Sequence, residues 1–321
     1  MIIITGAAGF IGSYFAGFLN AKGYNDLVLV DDFSIPLKQA NFQTKKYTSL
    51  QNREQLFDFI KANHRYIQCI VHLGARTDTA EKNVELLTRL NTDYTKQIWN
   101  LSVEFGLPLI YASSAATYGL GELGFSDNDA ISKQLKPLNP YGESKQQFDL
   151  WAMEQERKPF FWAGLKFFNV YGPNEYHKGR MASVPFHLFN TLKANKNVSL
   201  FRSHKAGIAD GEQMRDFIYV KDVAEVILHL MEHRKTSGIF NLGTGKARTF
   251  LDLAKACHQS FGKPFDIDFI DTPADIRDAY QYFTQAEMSK LRDAGYEKDF
   301  TSIEEGIEEY YVSFLKKGIC F

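Results

Sequence analysis

The sequence has few cysteines and no long apolar run. Its three cysteines, Cys69, Cys257 and Cys320, are widely spaced, and an odd number at such spacing argues against a disulfide framework or a zinc site. No stretch approaches the roughly 18 consecutive apolar residues of a membrane-spanning helix, and the N-terminus lacks the basic region of a signal peptide. We therefore expect a cytoplasmic protein with no metal centre and no membrane partner.

An excess of either charge is also missing. The 321 residues include 37 basic and 38 acidic side chains, so the chain has no basic surplus with which to bind nucleic acid. With 45% hydrophobic residues, no repeat and no low-complexity tract, the composition is that of a globular protein with one large domain or two.

A glycine triplet lies between a predicted strand and a predicted helix at the start of the chain. Residues 2–5 are apolar, Gly6, Gly9 and Gly12 follow, and helical spacing begins at residue 13. Without a Cβ, these glycines let the chain turn sharply and let the backbone approach a pyrophosphate, and the helix N-terminus offers free N–H groups to phosphate. The alternative is an ordinary strand–turn–helix connection that binds nothing.

Two aspartates end the next apolar run and favour a nucleotide site. Residues 27–30 predict a second strand, and Asp31 and Asp32 follow it. They lie about 19 residues past Gly12, where a carboxylate accepts a hydrogen bond from an adenosine ribose. Together the two motifs predict a dinucleotide-binding site.

Short apolar runs and helical patterns alternate through the first half of the chain. This alternation predicts an α/β fold, a Rossmann-type doubly wound parallel sheet. The chain becomes more polar from about residue 171, which favours a smaller, interleaved C-terminal substrate domain. We expect the dinucleotide-binding domain to span 1–168 plus about 214–242, and the substrate domain 169–213 plus 243–321. Further strands are predicted over 69–73, 107–112 and 161–168 and from Phe217, and helices over 84–105, 221–233 and 302–317.

A tyrosine and a lysine four residues apart form a second motif. Tyr141 and Lys145 share one face of a predicted helix that begins after Asn139. A neighbouring ammonium lowers the pKa of a phenol from about 10, so Tyr141 would exchange a proton with a substrate hydroxyl while hydride moves to or from a nicotinamide. Alone, such a pair is more often a solvated helix face.

A third motif is the polar end of the strand before this helix. Ser114 lies where ligands sit in parallel sheets, and its hydroxyl would orient a reacting oxygen. The alternative is a polar strand end whose side chains bond to their own backbone.

The glycine triplet, the serine at the strand end and the Tyr141–Lys145 pair together resemble the extended short-chain dehydrogenase/reductases, a family of NAD-dependent epimerases and dehydratases. The resemblance covers essentially the whole chain, and segments 112–119, 168–173, 177–184 and 280–286 carry it. Segment 177–184 is typical of the members that act on a heptose. The resemblance also implies a homo-oligomer, with a pentamer as one form.

This resemblance implies epimerisation at C6 of ADP-D-glycero-D-manno-heptose, a lipopolysaccharide inner-core precursor, through a transient 6-keto sugar. Protonation and deprotonation on two faces of the sugar need two acid/base groups. The resemblance assigns these roles to Tyr141 and to Lys178, which the residue pattern alone would make a surface lysine. It also implies that Ser114 orients the reacting oxygen and that Lys145 positions the nicotinamide ribose.

Acidic and basic residues of the predicted nucleotide site indicate different cofactors. Asp31 favours NAD, because its carboxylate would repel a 2′-phosphate. Lys38 and Arg53, however, lie where the resemblance places basic residues beside that phosphate. We expect tightly bound NADP, with NAD as the alternative. The resemblance assigns further cofactor contacts to Phe10, Ile11, Leu73, Gly74, Ala75, Arg76, Thr77 and Asn91.

The substrate contacts that the resemblance implies lie mostly in the second half of the chain. Arg215 would bind the diphosphate, whereas His187 is equally well explained as a structural histidine. The chain departs from the family pattern at 73–77, at Arg180, where serine is expected, and in a longer loop at 205–213. The full set of expected substrate residues is Ser114, Asn169, Val170, Lys178, Arg180, His187, Phe201, Arg202, Ser203, His204, Arg215 and Tyr280.

Other functions stay open at this point. A UDP-hexose 4-epimerase would not need Lys178. A sugar-nucleotide dehydratase would want an acidic residue beside the tyrosine or after the serine, whereas here Thr117 follows Ala115 and Ala116. A catalytically inactive NADP-binding sensor would need none of Ser114, Tyr141 and Lys145.

Overall fold

Seven parallel strands form the central sheet of this computed structural model, which describes residues 1–273, 277 and 280–321. Their order is β10-β6-β5-β4-β1-β2-β3, the predicted doubly wound Rossmann-type arrangement. The strands are β1 Ile2–Thr5, β2 Leu27–Asp31, β3 Ser49–Asn52, β4 Cys69–His72, β5 Leu109–Ser114, β6 Trp162–Phe167, β7 Asn169–Tyr171, β8 Val198–Phe201, β9 Met214–Tyr219, β10 Gly238–Leu242, β11 Ala247–Thr249 and β12 Ile267–Ile270.

Helices cover both faces of the central sheet. Alternate residues of β1 therefore enter two separate cores: Ile2 and Ile4 pack on one side and Ile3 on the other, so the strand is apolar throughout. The helices are α1 Phe10–Ala21, α2 Gln39–Phe42, α3 Leu56–Asn63, α4 Val84–Leu87, α5 Tyr94–Phe105, α6 Asp129–Ser132, α7 Pro140–Glu154, α8 Val184–Lys193, α9 Val220–His233, α10 Phe250–Phe261, α11 Ser289–Asp293 and α12 Ile303–Glu308. No helix among the described residues is long and apolar enough to cross a membrane.

Two small sheets follow from the second half of the chain. One has the order β11-β9-β7 and the other pairs β12 with β8. Between β9 and β11 the chain returns to the central sheet at β10, which pairs with β6. The expected division into 1–168 plus 214–242 and the remainder stays a prediction, although β9 joins a small sheet and not the central one.

Several predicted elements differ in their limits or continuity. The strand predicted over 107–112 runs from Leu109 to Ser114, so Ser114 is its last residue. The helix predicted over 84–105 consists of α4, a π-helical turn over Thr88–Asp93, and α5. The half-exposed edge strand β3 was not predicted, because its sequence, Ser-Leu-Gln-Asn, lacks an apolar run.

The tight backbone contact at Gly12 leads to a stability prediction. A Cβ at Gly12 would lie 2.2 Å from the carbonyl oxygen of Gly6, whereas a Cβ at Gly17 in the same helix would meet only side-chain atoms, at 3.1 Å. We expect Gly12→Ala to lower the free energy of unfolding by about 1–3 kcal/mol, because the backbone must shift. Gly17→Ala should change it little, and urea denaturation of both variants checks this. Equal changes in the free energy of unfolding for the two variants would contradict the close backbone contact at Gly12.

Candidate active site

A cleft of about 590 Å³ lies at the carboxyl ends of β1, β2 and β4. Most of the residues expected to bind a cofactor surround it, which brings together four separate parts of the chain. Those lining it are Gly6, Gly9, Phe10, Ile11, Gly12, Asp31, Asp32, Lys38, Arg53, Leu73, Gly74, Ala75, Arg76 and Thr77. Lining residues that were not predicted are Thr5, Val30, Ile35, Asp78, Leu86, Leu90, Tyr94, His177 and Met181.

The glycine turn forms the floor of this cleft. Gly6 has a φ of +67°, and a Cβ there would lie 2.7 Å from the backbone nitrogen of Gly74. Helix α1 starts directly after Gly9, and no side chain caps its first turn. The cleft therefore meets a helix N-terminus with free N–H groups, close to backbone that no side chain shields, and this fits a pyrophosphate.

Asp31 is held in place at the end of β2. One carboxylate oxygen accepts a hydrogen bond from the backbone N–H of Ala8 at 2.9 Å. The other lies 3.1 Å from the ammonium of Lys38. The adjacent Asp32 bonds to Ser34, which lowers the pKa of this aspartate. Asp31 and Lys38 are thus paired with each other, whereas Arg53 pairs with Glu54 at 2.7 Å.

Asn91 does not line the cleft but connects it to helix α7. Its side-chain oxygen accepts from the backbone N–H of Arg76 at 2.8 Å, and its amide donates to the Arg76 carbonyl and to Ser144, both at 3.0 Å. The Ser144 hydroxyl in turn donates to the carbonyl of Tyr141. Asn91 therefore fixes the cleft wall relative to the helix that carries Tyr141.

Ser114, Tyr141 and Lys145 come together where β5 ends against α7. The pKa of Tyr141 is raised by burial, and a hydrogen bond from Ser114 opposes this rise. The expected lowering of this pKa by Lys145 is wrong for this structure, since the lysine ammonium donates to the Ala112 carbonyl at 2.9 Å. Burial lowers the pKa of Lys145 itself to about 8, and Asp149 partly offsets the effect.

A buried ion pair supports this strand end from behind. Asp149 and Lys166 are both fully buried, and their charged atoms lie 3.6 Å apart. Asp149 also accepts hydrogen bonds from Ser113 and Tyr111, and Lys166 donates to Thr117 at 2.7 Å. The residues on both sides of Ser114 are therefore held by one polar network, which the sequence did not reveal.

The loop between β7 and α8 brings Lys178 into the cleft wall. Its ammonium lies 5.5 Å from the centre of the Phe10 ring. Burial lowers the pKa of Lys178, and the Glu175 carboxylate partly offsets this shift. The half-buried Lys178 side chain thus lies against the glycine turn.

Glu175 ties both ends of this loop together. Its fully buried carboxylate accepts from the backbone N–H of Gly172 at 3.3 Å and from the N–H and hydroxyl of Ser183 at 2.5 and 2.6 Å. The Tyr310 hydroxyl donates to it at 3.0 Å. Four donors on one carboxylate compensate its burial.

A model of the family described as NAD dependent epimerase/dehydratase matches residues 2–243. The chain belongs to the NAD-dependent epimerase/dehydratase family. It is 45% identical to an ADP-L-glycero-D-manno-heptose-6-epimerase from Fusobacterium nucleatum, over 99% of this chain and 98% of the relative. It is also 45% identical to a protein of the same name from Nitratidesulfovibrio vulgaris, over 98% of each chain.

Solved structures agree with this family assignment. The crystal structure of the Helicobacter pylori ADP-L-glycero-D-manno-heptose-6-epimerase superposes with a TM-score of 0.80 at 27% identity, over 97% of this chain and 95% of that one. A UDP-N-acetylglucosamine 4-epimerase from Methanobrevibacter ruminantium gives a TM-score of 0.81 at 22% identity, over 98% of both chains, and supports the fold alone.

Six of the twelve expected substrate residues form a second group outside the lining of the cleft: Phe201, Arg202, Ser203, His204, Arg215 and Tyr280. Arg215 is buried between the rings of Tyr280 and Phe250, at 5.3 and 5.7 Å, and burial lowers its pKa. Phe201 packs edge-on against Tyr280. Arg202 pairs with Asp210 and Asp271. The backbone N–H of Ser203 donates to the Asp210 carboxylate, and the backbone N–H of His204 donates to the Tyr282 hydroxyl.

The remaining expected substrate residues are more dispersed. Asn169 is exposed and Val170 is half-buried at the start of β7. His187 is exposed on α8, and its ring lies 3.4 Å from the Arg180 carbonyl. Arg180 pairs with Asp78. These positions do not converge on one surface as tightly as the residues of the cleft.

The pKa of Lys145 predicts a pH-dependent stability. The folded protein releases this proton near pH 8, below the ordinary lysine value of 10.5, so burial costs stability below pH 8 and this cost is relieved as the pH rises toward 10.5. We expect stability relative to Lys145→Met to increase between pH 8 and pH 10, measured by urea unfolding. Parallel pH profiles of the two proteins would contradict the burial of a charged lysine.

Proposed function

We propose that this protein converts ADP-D-glycero-D-manno-heptose to its L-glycero epimer at C6. The observation that carries the proposal is the half-buried placement of Lys178 beside Phe10 in the cleft wall, on a different element from Tyr141. Two proton-exchanging groups from separate elements are what inversion at a carbinol carbon through a ketone requires. The names of the relatives that share 45% identity support the same substrate.

The glycine turn and Asp31 fit a dinucleotide, and we propose that these residues hold NADP. When bound, the nicotinamide supplies reversible hydride acceptance. The choice of NADP is supported by the Lys38–Asp31 pair, because the ammonium offsets the repulsion between the carboxylate and a 2′-phosphate. Arg53 lines the same end of the cleft and would add a charge-assisted contact.

The proposed chemistry divides among the residues at the end of β5 and in the Lys178 loop. One of Tyr141 and Lys178 removes the proton of the C6 hydroxyl, and the other returns a proton to the oxygen after the face of the sugar has changed. Ser114, which opposes the rise in the pKa of Tyr141, would orient that oxygen. Lys145 would hold the nicotinamide ribose, and its pKa of about 8 lets its ammonium persist near neutral pH.

We further propose that the second group of residues binds the ADP part of the substrate. The buried guanidinium of Arg215 offers charge-assisted bonds to a diphosphate, and the flanking rings of Tyr280 and Phe250 fix its plane. Tyr280 and Phe250 would belong to the interleaved substrate domain of 169–213 and 243–321, whereas Arg215 lies in the 214–242 segment of the dinucleotide-binding domain. A homo-oligomer in the cytoplasm completes the proposal, in keeping with three cysteines that are all free.

Activity of the purified protein tests the substrate and the two acid/base residues. With no added cofactor, we expect proton NMR to show conversion of the D-glycero toward the L-glycero epimer. Tyr141→Phe and Lys178→Met should each reduce kcat at least about 100-fold, the usual contribution of general acid–base catalysis, while bound nucleotide is retained. Lys133→Met, at an exposed site, should behave as the parent.

Other outcomes would separate the alternatives. If conversion fails although nucleotide is bound, the heptose assignment is wrong, and conversion of a UDP-hexose that survives Lys178→Met would identify a 4-epimerase. If the parent turns over no sugar, and Tyr141→Phe matches the parent in turnover and in bound nucleotide, the result would favour a non-catalytic sensor.

Cofactor extraction tests the choice between NADP and NAD. We expect the denatured protein to release mainly a 2′-phosphorylated dinucleotide, identified by mass spectrometry. Replacing Lys38 and Arg53 together by Ala should reduce NADP affinity about 10-fold or more and leave NAD affinity nearly unchanged. Only NADP has a 2′-phosphate, and therefore only NADP loses the charge-assisted contacts of these two side chains. Release of NAD alone from the parent would contradict the assignment.

A further inference from the structure

We propose that Asp78 and Arg180 form a bridge across the mouth of the cleft that slows release of the bound dinucleotide. Asp78 belongs to the wall that follows β4, and Arg180 to the segment that carries Lys178. The inference depends on the nicotinamide cofactor of the proposed function and not on the identity of the sugar.

The bridge joins walls that are far apart in sequence. The Arg180 guanidinium donates to both carboxylate oxygens of Asp78, at 3.2 and 3.3 Å, across 102 residues of sequence. A second contact lies next to it, where the Thr79 hydroxyl is 3.9 Å from the sulfur of Met181. Asp78 and Met181 both line the cleft, so these contacts join two of its walls.

Asp78 is the fixed side of the bridge. Its carboxylate accepts from the N–H of Ala80 at 3.0 Å, and this bond, followed by the contact with Arg180, lowers the pKa of Asp78. Arg76 lies 3.8 Å from the same carboxylate and is itself tied to Glu81 by two hydrogen bonds. The aspartate is therefore ionised and oriented before Arg180 reaches it.

Arg180 is the movable side of the bridge. Its side chain is 69% exposed, whereas that of Asp78 is 23% exposed, and it follows Gly179, which has a φ of +54°. An exposed ion pair whose two contacts come from one guanidinium nitrogen contributes little to overall stability. It can nevertheless alter a release rate, because a ligand that leaves between the two walls must first separate them.

A charge exchange tests the bridge without relying on turnover. The holoprotein is loaded with NADPH, and the loss of bound NADPH fluorescence after addition of excess NADP⁺ gives the dissociation rate. We expect Asp78→Arg and Arg180→Asp to accelerate release about two- to fivefold each, as expected for the loss of an exposed ion pair. The double variant should return to within about 1.5-fold of the parent rate, because the opposite charges meet again.

Controls separate this bridge from general electrostatic effects. Lys298→Glu breaks a surface ion pair with Glu225 elsewhere and should leave the release rate unchanged. The proposal is wrong if the single variants release NADPH at the parent rate, or if the double variant is as fast as the faster single one. Failure to bind any nicotinamide dinucleotide would instead refute the proposed function, so the two failures are distinguishable.

Discussion

The close approach of two backbone segments at the carboxyl ends of β1 and β4 is the constraint on which the site depends. Gly6 and Gly74 pack so closely that a Cβ on Gly6 would lie within 2.8 Å of three backbone atoms. This packing allows α1 to start directly above the sheet and opens its N-terminus to the cleft. The floor of the site is consequently made of backbone N–H groups, and its specificity must come from side chains on the walls.

Charged groups buried around this floor hold those walls in place. Asp149 with Lys166 supports the end of β5, and Glu175 closes the loop that presents Lys178. Each buried charge is compensated by a partner or by several hydrogen bonds, as low-dielectric surroundings require. The same burial shifts the pKa values of Tyr141 and Lys178, so the scaffold and the proposed proton chemistry depend on the same interactions.

The glycine turn could be predicted from the sequence because its residues are contiguous and its geometry is local. The contacts of the walls could not, because they join distant segments. Asn41 donates to the carbonyl of Ala8 and, 133 residues further along the chain, to that of Asn174. It links the glycine turn to the Lys178 loop, and no sequence pattern marks it. The predicted direction of the Tyr141 pKa shift was wrong for a related reason. The spacing of Tyr141 and Lys145 is visible in the local sequence, whereas the burial that raises the pKa of Tyr141 depends on the tertiary structure.

In the proposed reaction, C6 of the sugar is oxidised and then reduced with no net change, and isotope tracing at C6 tests this most directly. ADP-D-glycero-D-manno-heptose deuterated at C6 is incubated with the protein in ordinary water, and the product is analysed by NMR and mass spectrometry. The account predicts that deuterium remains on C6 of the L-glycero product, because the hydride removed from this carbon returns to it. Replacement of deuterium by solvent hydrogen at C6 would mean proton abstraction from carbon and would contradict the account.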